Sequence, residues 1–374
     1  MTTAAETAAG PDFRLDEAQD TIARLAAEVL SGAAGQHLDG QPDRAWTALG
    51  QAGLLTLAVP EGLGGEGLGP AETALVLTEI GRRALPLPAL STLALGVLPI
   101  ARWGTPDQQR DLLADLVEAT PSAAEPGGGG AVAGRVLTAA VAEPGAPMPA
   151  HPTATATRDW RITGHVTGAP DAERAHRILI PVRTAGDGLA VVVVDLAAPG
   201  VTVRPGSVRL DAAEAEPLGG DTTGRAVADL YRFATLGACA LGDGALAGAL
   251  DLTAGHVRTR EQFGRPLATF QAVAQQIADV YVTARTLHLA VQAASWALGA
   301  GRDADADLAV AAQWFTAEAP PAVRTCHHLH GGLGLTADYP LHRHSSLIRD
   351  LVRFLGGSEH CLQRLGGHVV HRSH

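Results

Sequence analysis

A chain of 374 residues with 46% hydrophobic side chains is long enough to fold around two or three packed units. Its formal net charge is −11 and its 28 basic residues are all arginine, which argues against nucleic acid or an anionic membrane surface as a partner. Three scattered cysteines, Cys239, Cys326 and Cys361, exclude a disulfide framework and point to a reducing compartment, the cytoplasm.

The opening "MTTAAETAAGPDF" has neither a basic nor an apolar region of the kind that directs export, so no export signal is expected. From about residue 15 to 118, apolar residues recur at three-and-four spacing in "AQDTIARLAAEVL", "AETALVLTEIGRRA" and "TPDQQRDLLADLVEA", which predicts amphipathic helices. Between the first two, "GLLTLAVPEGLGGEGLGP" predicts a long ordered turn. Four consecutive glycines in "EPGGGGAVAG" mark a hinge and a domain boundary.

Beyond the hinge the period changes to two. "RVLTAAVAE", "DWRITGHVTG", "AHRILIPVR", "GLAVVVVDL" and "GVTVRPGSV" predict short strands of an all-β middle domain, a sandwich or barrel. The most apolar run, "LAVVVVDLAAPGV", is cut by Asp195, Pro199 and Gly200 and is too short to span a bilayer. After "LGGDTTGRA" the helical pattern returns and holds to the C-terminus, giving units over 1–124 (helical), 125–224 (β) and 225–374 (helical).

Two junctions in the last unit suit a ligand. In "GHVRTREQFGRPLATFQAV", Arg258, Arg260 and Arg265 precede a helix start near Thr269, where free N–H groups and the helix dipole favour a phosphate. Arginine's planar fork can hold two phosphate oxygens at once. In "CHHLHGGLGLTADYP", Gly331, Gly332 and Gly334 leave no side chain between backbone and ligand. Two such junctions suit one long ligand such as a dinucleotide, whereas taken singly they read as a helix cap and solvated arginines. Cys326 and His330, four apart, could share a metal, but no further ligands stand at metal-binding spacing, so no metal is expected.

Read together, "AWTALGQAGLLTLAVPEGLGGEGLGPAETALVLTEIGR", "RTREQFGRPLATFQAVAQQIAD" and "HGGLGLTADYPLHRHSSLIRD" resemble the acyl-CoA dehydrogenase family over nearly the whole chain. The resemblance implies an α+β fold with an N-terminal helical domain, a middle β-sandwich or barrel and a C-terminal four-helix bundle. It also implies FAD, an acyl-CoA substrate and an electron-transfer flavoprotein as redox partner. The family's cross-subunit FAD contacts fall on Arg260, Gln262, Phe263 and Gln271, and its Gln-x-x-Gly-Gly segment on His328, Leu329, His330, Gly331 and Gly332. Ser358 stands where the family has a threonine near the base.

The family's reaction needs a carboxylate to take the α-proton. Its C-terminal location reads "RFLGGSEH", with Gly356 at the base position, and its earlier one reads "LYRFATLGACALGDG", with Tyr231 or Arg232 there. No catalytic residue is therefore assigned. The family's Thr-Glu-Pro-x-x-Gly-Ser-Asp loop survives only as "VAEPGAPMP". This pattern resembles the base-lacking member of actinobacterial heterotetrameric acyl-CoA dehydrogenases of steroid side-chain degradation, which implies a homologous partner subunit that carries the base. The alternatives are a self-sufficient homotetramer with a displaced base, Glu359 or less suitably Glu261, and a non-catalytic acyl-CoA-binding or structural protein.

Overall fold

A computed structural model describes residues 14–34, 42–118 and 136–372, so the glycine hinge and the boundary drawn through it lie outside the described residues. The N-terminal helices are α1 (Glu17–Ala34), α2 (Pro42–Gln51), α3 (Pro70–Arg83), α4 (Leu98–Trp103) and α5 (Pro106–Glu118). Helix α3 begins where Pro70 needs no N–H partner and the Gly69 N–H donates to Glu72 Oε2 at 3.0 Å. The expected ordered turn before it closes on itself through Gly67 N–H to Val59 O and Leu68 N–H to Leu57 O, both 2.8 Å. Ahead of α4, Leu90–Val97 forms a fully buried π-helix that the hydrophobic period did not predict.

The middle strands are β1 (Val136–Ala139), β2 (Ala142–Glu143), β3 (Ala146–Pro147), β4 (Thr155–Ala156), β5 (Arg161–Thr167), β6 (Ala175–Thr184), β7 (Leu189–Asp195), β8 (Val201–Arg204), β9 (Ser207–Glu214) and β10 (Glu216–Pro217). All ten join one mixed sheet that branches at β5 and β6, with parallel pairings only at β1–β6 and β4–β6. The run of valines in β7 is explained by burial on both faces. Val191 and Val193 join the helical core, and Val192 and Val194 point into a second core within the β unit.

The C-terminal unit holds five helices, α6 (Arg225–Thr259), α7 (Gln271–Gly299), α8 (Asp305–His330), α9 (Leu341–Phe354) and α10 (Gly357–Arg372). Helices α9 and α10 are separated at Gly356 and Gly357, whose φ values of 87° and 84° stop a helix. Helix α6 is long and apolar enough to cross a membrane, but its apolar window is 89% buried within the fold, as a core helix. It packs against α3 backbone to backbone: a Cβ on Gly81 would strike Leu241 O, one on Gly244 would strike Thr78 O, and one on Gly248 would strike Arg82 O. The N-terminal helices and the bundle consequently share one continuous core, which also takes in the near face of the sheet.

Candidate functional site

The arginine corner is a two-residue hairpin. Strands β11 (Glu261–Gln262) and β12 (Arg265–Pro266) pair across Phe263 and Gly264, whose φ values of 53° and 79° fit a type I′ turn. A phenylalanine at positive φ is strained, and this one is also 93% exposed. Its ring meets Phe270 edge-on at 6.3 Å, while the Arg265 guanidinium lies 4.1 Å over the Phe270 ring. Arg260 caps α6 through its N–H to His256 O at 2.8 Å and accepts at its carbonyl from Leu267 N–H at 2.8 Å. Among the described residues neither Arg258 nor Arg260 has an ion pair or a side-chain hydrogen bond, and both are exposed. Gln271, the first residue of α7, and Gln262 are exposed beside them.

The glycine turn follows α8. Gly331 has φ 58° and ψ −138°, a conformation for glycine alone, and beyond their chain neighbours none of the described residues lies within 4 Å of a Cβ built on Gly331 or Gly332. The space beside both residues is open. His328 is exposed, whereas the side chains of Leu329 and His330 are buried, so those two offer only backbone to a ligand. The ring of His330 is committed: Nδ1 donates to Cys326 O at 2.8 Å and Nε2 accepts from the Tyr339 hydroxyl at 2.9 Å. That geometry ties Cys326 and His330 through a carbonyl and a ring nitrogen.

His330 also stacks on His256 at 4.5 Å, joining the C-terminal end of α6 to that of α8. The arginine corner and the glycine turn are thereby brought to one side of the bundle. Burial pushes both imidazoles below the ordinary histidine range, and each is lowered further by a neighbouring histidine, with Arg260 adding to the effect on His256. A histidine held below its unfolded value near 6.5 stabilises the fold above that pH and loses the contribution as pH falls. The melting temperature should be flat from pH 8 to 7 and fall by on the order of a few degrees between pH 6.5 and 5, less so in His330→Phe. Asp305, held below the usual carboxylate range chiefly by its hydrogen bond to Arg232, titrates below that window.

Neither family base location carries a free carboxylate. Arg232 is locked to Asp305 at 2.6 and 2.8 Å and to Asp229 at 2.9 Å. Asp229, buried, also receives Arg102 at 2.7 Å and the Trp103 indole at 3.0 Å, so it is fully used in holding helices together. Tyr231 is buried, its hydroxyl donates to Pro149 O at 3.1 Å, and burial raises its pKa. At the other location a Cβ on Gly356 would strike the Pro147 ring. Ser358 and Glu359 sit exposed in the first turn of α10, where the carboxylate complements the helix dipole.

The remnant loop is folded onto these same helices. Met148, at φ 47° and buried, has its sulfur 3.6 Å from the Thr235 hydroxyl and 3.3 Å from Arg364 Nη1. Glu143 pins the loop's far end, accepting from Thr153 N–H at 2.7 Å, Thr153 Oγ1 at 2.8 Å and Ala154 N–H at 2.9 Å. Beside the loop a cleft of about 900 Å³ opens where the β unit meets the N-terminal and C-terminal helices, walled by Leu85, Leu90, Leu241, Leu351 and Phe354. No sequence signal announces this packing, because Pro147, Met148 and Pro149 register only as departures from a motif.

Comparison with known proteins matches residues 14–120 to the acyl-CoA dehydrogenase N-terminal domain and residues 230–367 to its C-terminal domain. The chain is 40% identical over 367 residues to acyl-CoA dehydrogenase FadE28 of Mycobacterium tuberculosis, covering 95% of this chain and 98% of that protein. It is 32% identical to FadE27 of the same organism, with 86% of each chain covered. Among solved structures, a variant of the Tcur3481-Tcur3483 steroid ACAD superposes with a TM-score of 0.83 at 33% identity, covering 96% of this chain and 99% of that one. The ChsE4-ChsE5 complex from Mycobacterium tuberculosis gives 0.83 at 29% identity, with the same coverage. The chain belongs to the acyl-CoA dehydrogenase family, FAD-dependent oxidoreductases.

Proposed function

We propose that this chain is one subunit of a heteromeric acyl-CoA dehydrogenase and supplies its arginine corner and glycine turn to FAD held by a homologous partner. One asymmetry carries the reading. Arg258 and Arg260 stand exposed and without a counter-ion among the described residues, while the chain's own Pro147–Met148–Pro149 segment is packed against Gly356, Tyr231 and Thr235. The outward half fits an anionic dinucleotide, and the inward half is filled by the chain's own loop. The names of two structural neighbours, each joining two proteins, favour the same assembly.

In this reading Arg260, Gln262, Phe263, Gln271 and His328 offer side chains to the cofactor, and Leu329, His330, Gly331 and Gly332 offer backbone. Ser358 stands exposed at the start of α10, two residues past the cleft-lining Gly356. FAD held there would supply the hydride acceptor for oxidation of the acyl-CoA, and the base that the α-proton needs would have to come from the partner, since this chain places none at either family location. This chain's residues bind and orient, and the product is a 2,3-enoyl-CoA. The substrate class favoured by the steroid neighbour is a steroid side-chain thioester, with an electron-transfer flavoprotein as acceptor and the cytoplasm as compartment.

The test is flavin content. Purified alone, the chain should show no flavin absorbance, and with its partner about one FAD per two chains, because only the outward half-site is competent. Full loading of the isolated chain would overturn the reading. Glu359→Gln in the assembled enzyme should change turnover less than about twofold, since a base must reach within about 3 Å of the α-hydrogen. Loss of turnover by orders of magnitude would instead make Glu359 the base.

A further inference from the structure

Met1 and Met148 are the chain's only methionines, and Met1 lies outside the described residues. Met148 belongs to the segment that fills the inward half-site, yet its thioether has no part in binding or orienting a ligand. Two side chains with hydrogen-bond donors meet at its sulfur: Arg364 Nη1 at 3.3 Å and the Thr235 hydroxyl at 3.6 Å. A thioether is a weak acceptor and serves neither well. Thr235 has a better partner for its single proton in Tyr231 O at 2.8 Å. Arg364 has none. Among the described residues the Met148 sulfur is its one hydrogen-bond partner, and no carboxylate pairs with it.

A guanidinium aimed at a sulfur is placed for an oxygen carried by that sulfur. Oxidation of a methionine to its sulfoxide supplies one, polar and on a chiral centre. Arg364 is exposed, so its side chain has room to draw back and donate to that oxygen at ordinary hydrogen-bond length. Met148 itself is 8% exposed, and its neighbours Ala146 and Pro147 line the cleft of about 900 Å³, so the sulfur lies within a residue of open space. The other sulfur atoms are closed off. Cys239, Cys326 and Cys361 are at most 3% exposed, and burial pushes all three thiols up, away from the thiolate form that reacts with oxidants.

We propose that Met148 is an oxidation site, converted by a peroxide to a sulfoxide whose oxygen Arg364 holds. The sulfur lone pair attacks one peroxide oxygen, and the S–O bond forms as the O–O bond breaks. The proton on the transferred oxygen passes to the departing hydroxide, which leaves as water. Sulfur loses two electrons and the peroxide gains them. Because Arg364 approaches the sulfur from one side, one of the two sulfoxide epimers is favoured. A sulfoxide set in packed surroundings ordinarily disrupts them, whereas here a waiting cation receives it.

The test treats the purified full-length chain with graded hydrogen peroxide and maps the peptides by mass, which separates Met148 from Met1. One added oxygen should appear at Met148 before any appears on a cysteine, and one of the two epimer-specific methionine sulfoxide reductases should remove most of it. The oxidised chain should melt within about 2 °C of the reduced one. Arg364→Leu breaks no ion pair, so reduced it should melt as wild type does, and oxidised it should lose about 3 °C more than wild type loses. The epimer ratio in wild type stands without that variant. Oxidation of a cysteine first, no oxygen on Met148 until the fold is lost, equal amounts of the two epimers, or equal losses of melting temperature in wild type and Arg364→Leu would each overturn the proposal.

Discussion

Arg260→Ala is expected to release FAD from the assembled enzyme while the subunits stay associated. Arg260 has no ion pair or side-chain hydrogen bond of its own among the described residues, so truncating it removes nothing from this chain's fold. Its backbone is held independently, by N–H to His256 O and by its carbonyl to Leu267 N–H, so the hairpin keeps its place. What is lost is a charge-assisted bond to phosphate of roughly 1.5–3 kcal/mol, or about 10- to 150-fold in affinity. Arg260→Lys should recover part of this, since an ammonium supplies charge without the bidentate fork. The measurement is FAD retained after gel filtration, together with the mass of the complex. Retention at the wild-type level would make the corner a solvated helix end.

Parts of this site were legible in the sequence because they rest on local chemistry. Gly264 after Phe263, the arginines before a helix start, and the glycine pair after "CHHLH" all declare themselves within a few residues. The order of helical, β and helical segments was equally visible, since the hydrophobic period switches twice. The β unit was legible as strands but not as a single branched sheet, because β6 gathers β1, β4 and β7 from distant parts of the chain. The π-helix at Leu90–Val97 was hidden for another reason. A stretch buried on every side has no amphipathic period to read.

Long-range side-chain commitments were hidden altogether. Arg232 read as a residue at a base position, and only its two bonds to Asp305, 73 residues away, show it to be structural. Asp243 and His288, hydrogen-bonded at 2.8 Å between α6 and α7, are separated by 45 residues and carry no spacing signal. Of the site residues named from resemblance, those that proved exposed lie in the hairpin, in the glycine turn, at helix starts or, for His328, on the outer side of the last turn of α8. Leu329 and His330, read from the same motif, turned inward because α8 continues through them to Gly331. The phase of a helix at its last turn depends on what packs against it.

A large loss of stability is expected on adding a methyl group at Gly244. A methyl group there would overlap Thr78 O and sit 2.7 Å from Arg82 N, both backbone atoms of α3 that cannot swing aside as a side chain would. Gly81 against Leu241 O and Gly248 against Arg82 O hold the same two helices at the same close distance, so a shift that relieved one contact would disturb the others. Overpacking a well-filled core costs typically 1–3 kcal/mol and occasionally more, and with two backbone atoms in the way Gly244→Ala should reach at least about 3 kcal/mol, against a total of roughly 5–15. Gly255 gives an internal control on the same helix. It is exposed, nothing lies within 4 Å of an added Cβ, and its backbone is helical, so Gly255→Ala should stabilise by up to about 1 kcal/mol through helix propensity alone. Urea denaturation of both variants, followed by circular dichroism, separates the two causes. Equal and small effects would mean that α3 and α6 are not in backbone contact, and that the N-terminal helices and the bundle do not share one tightly packed core.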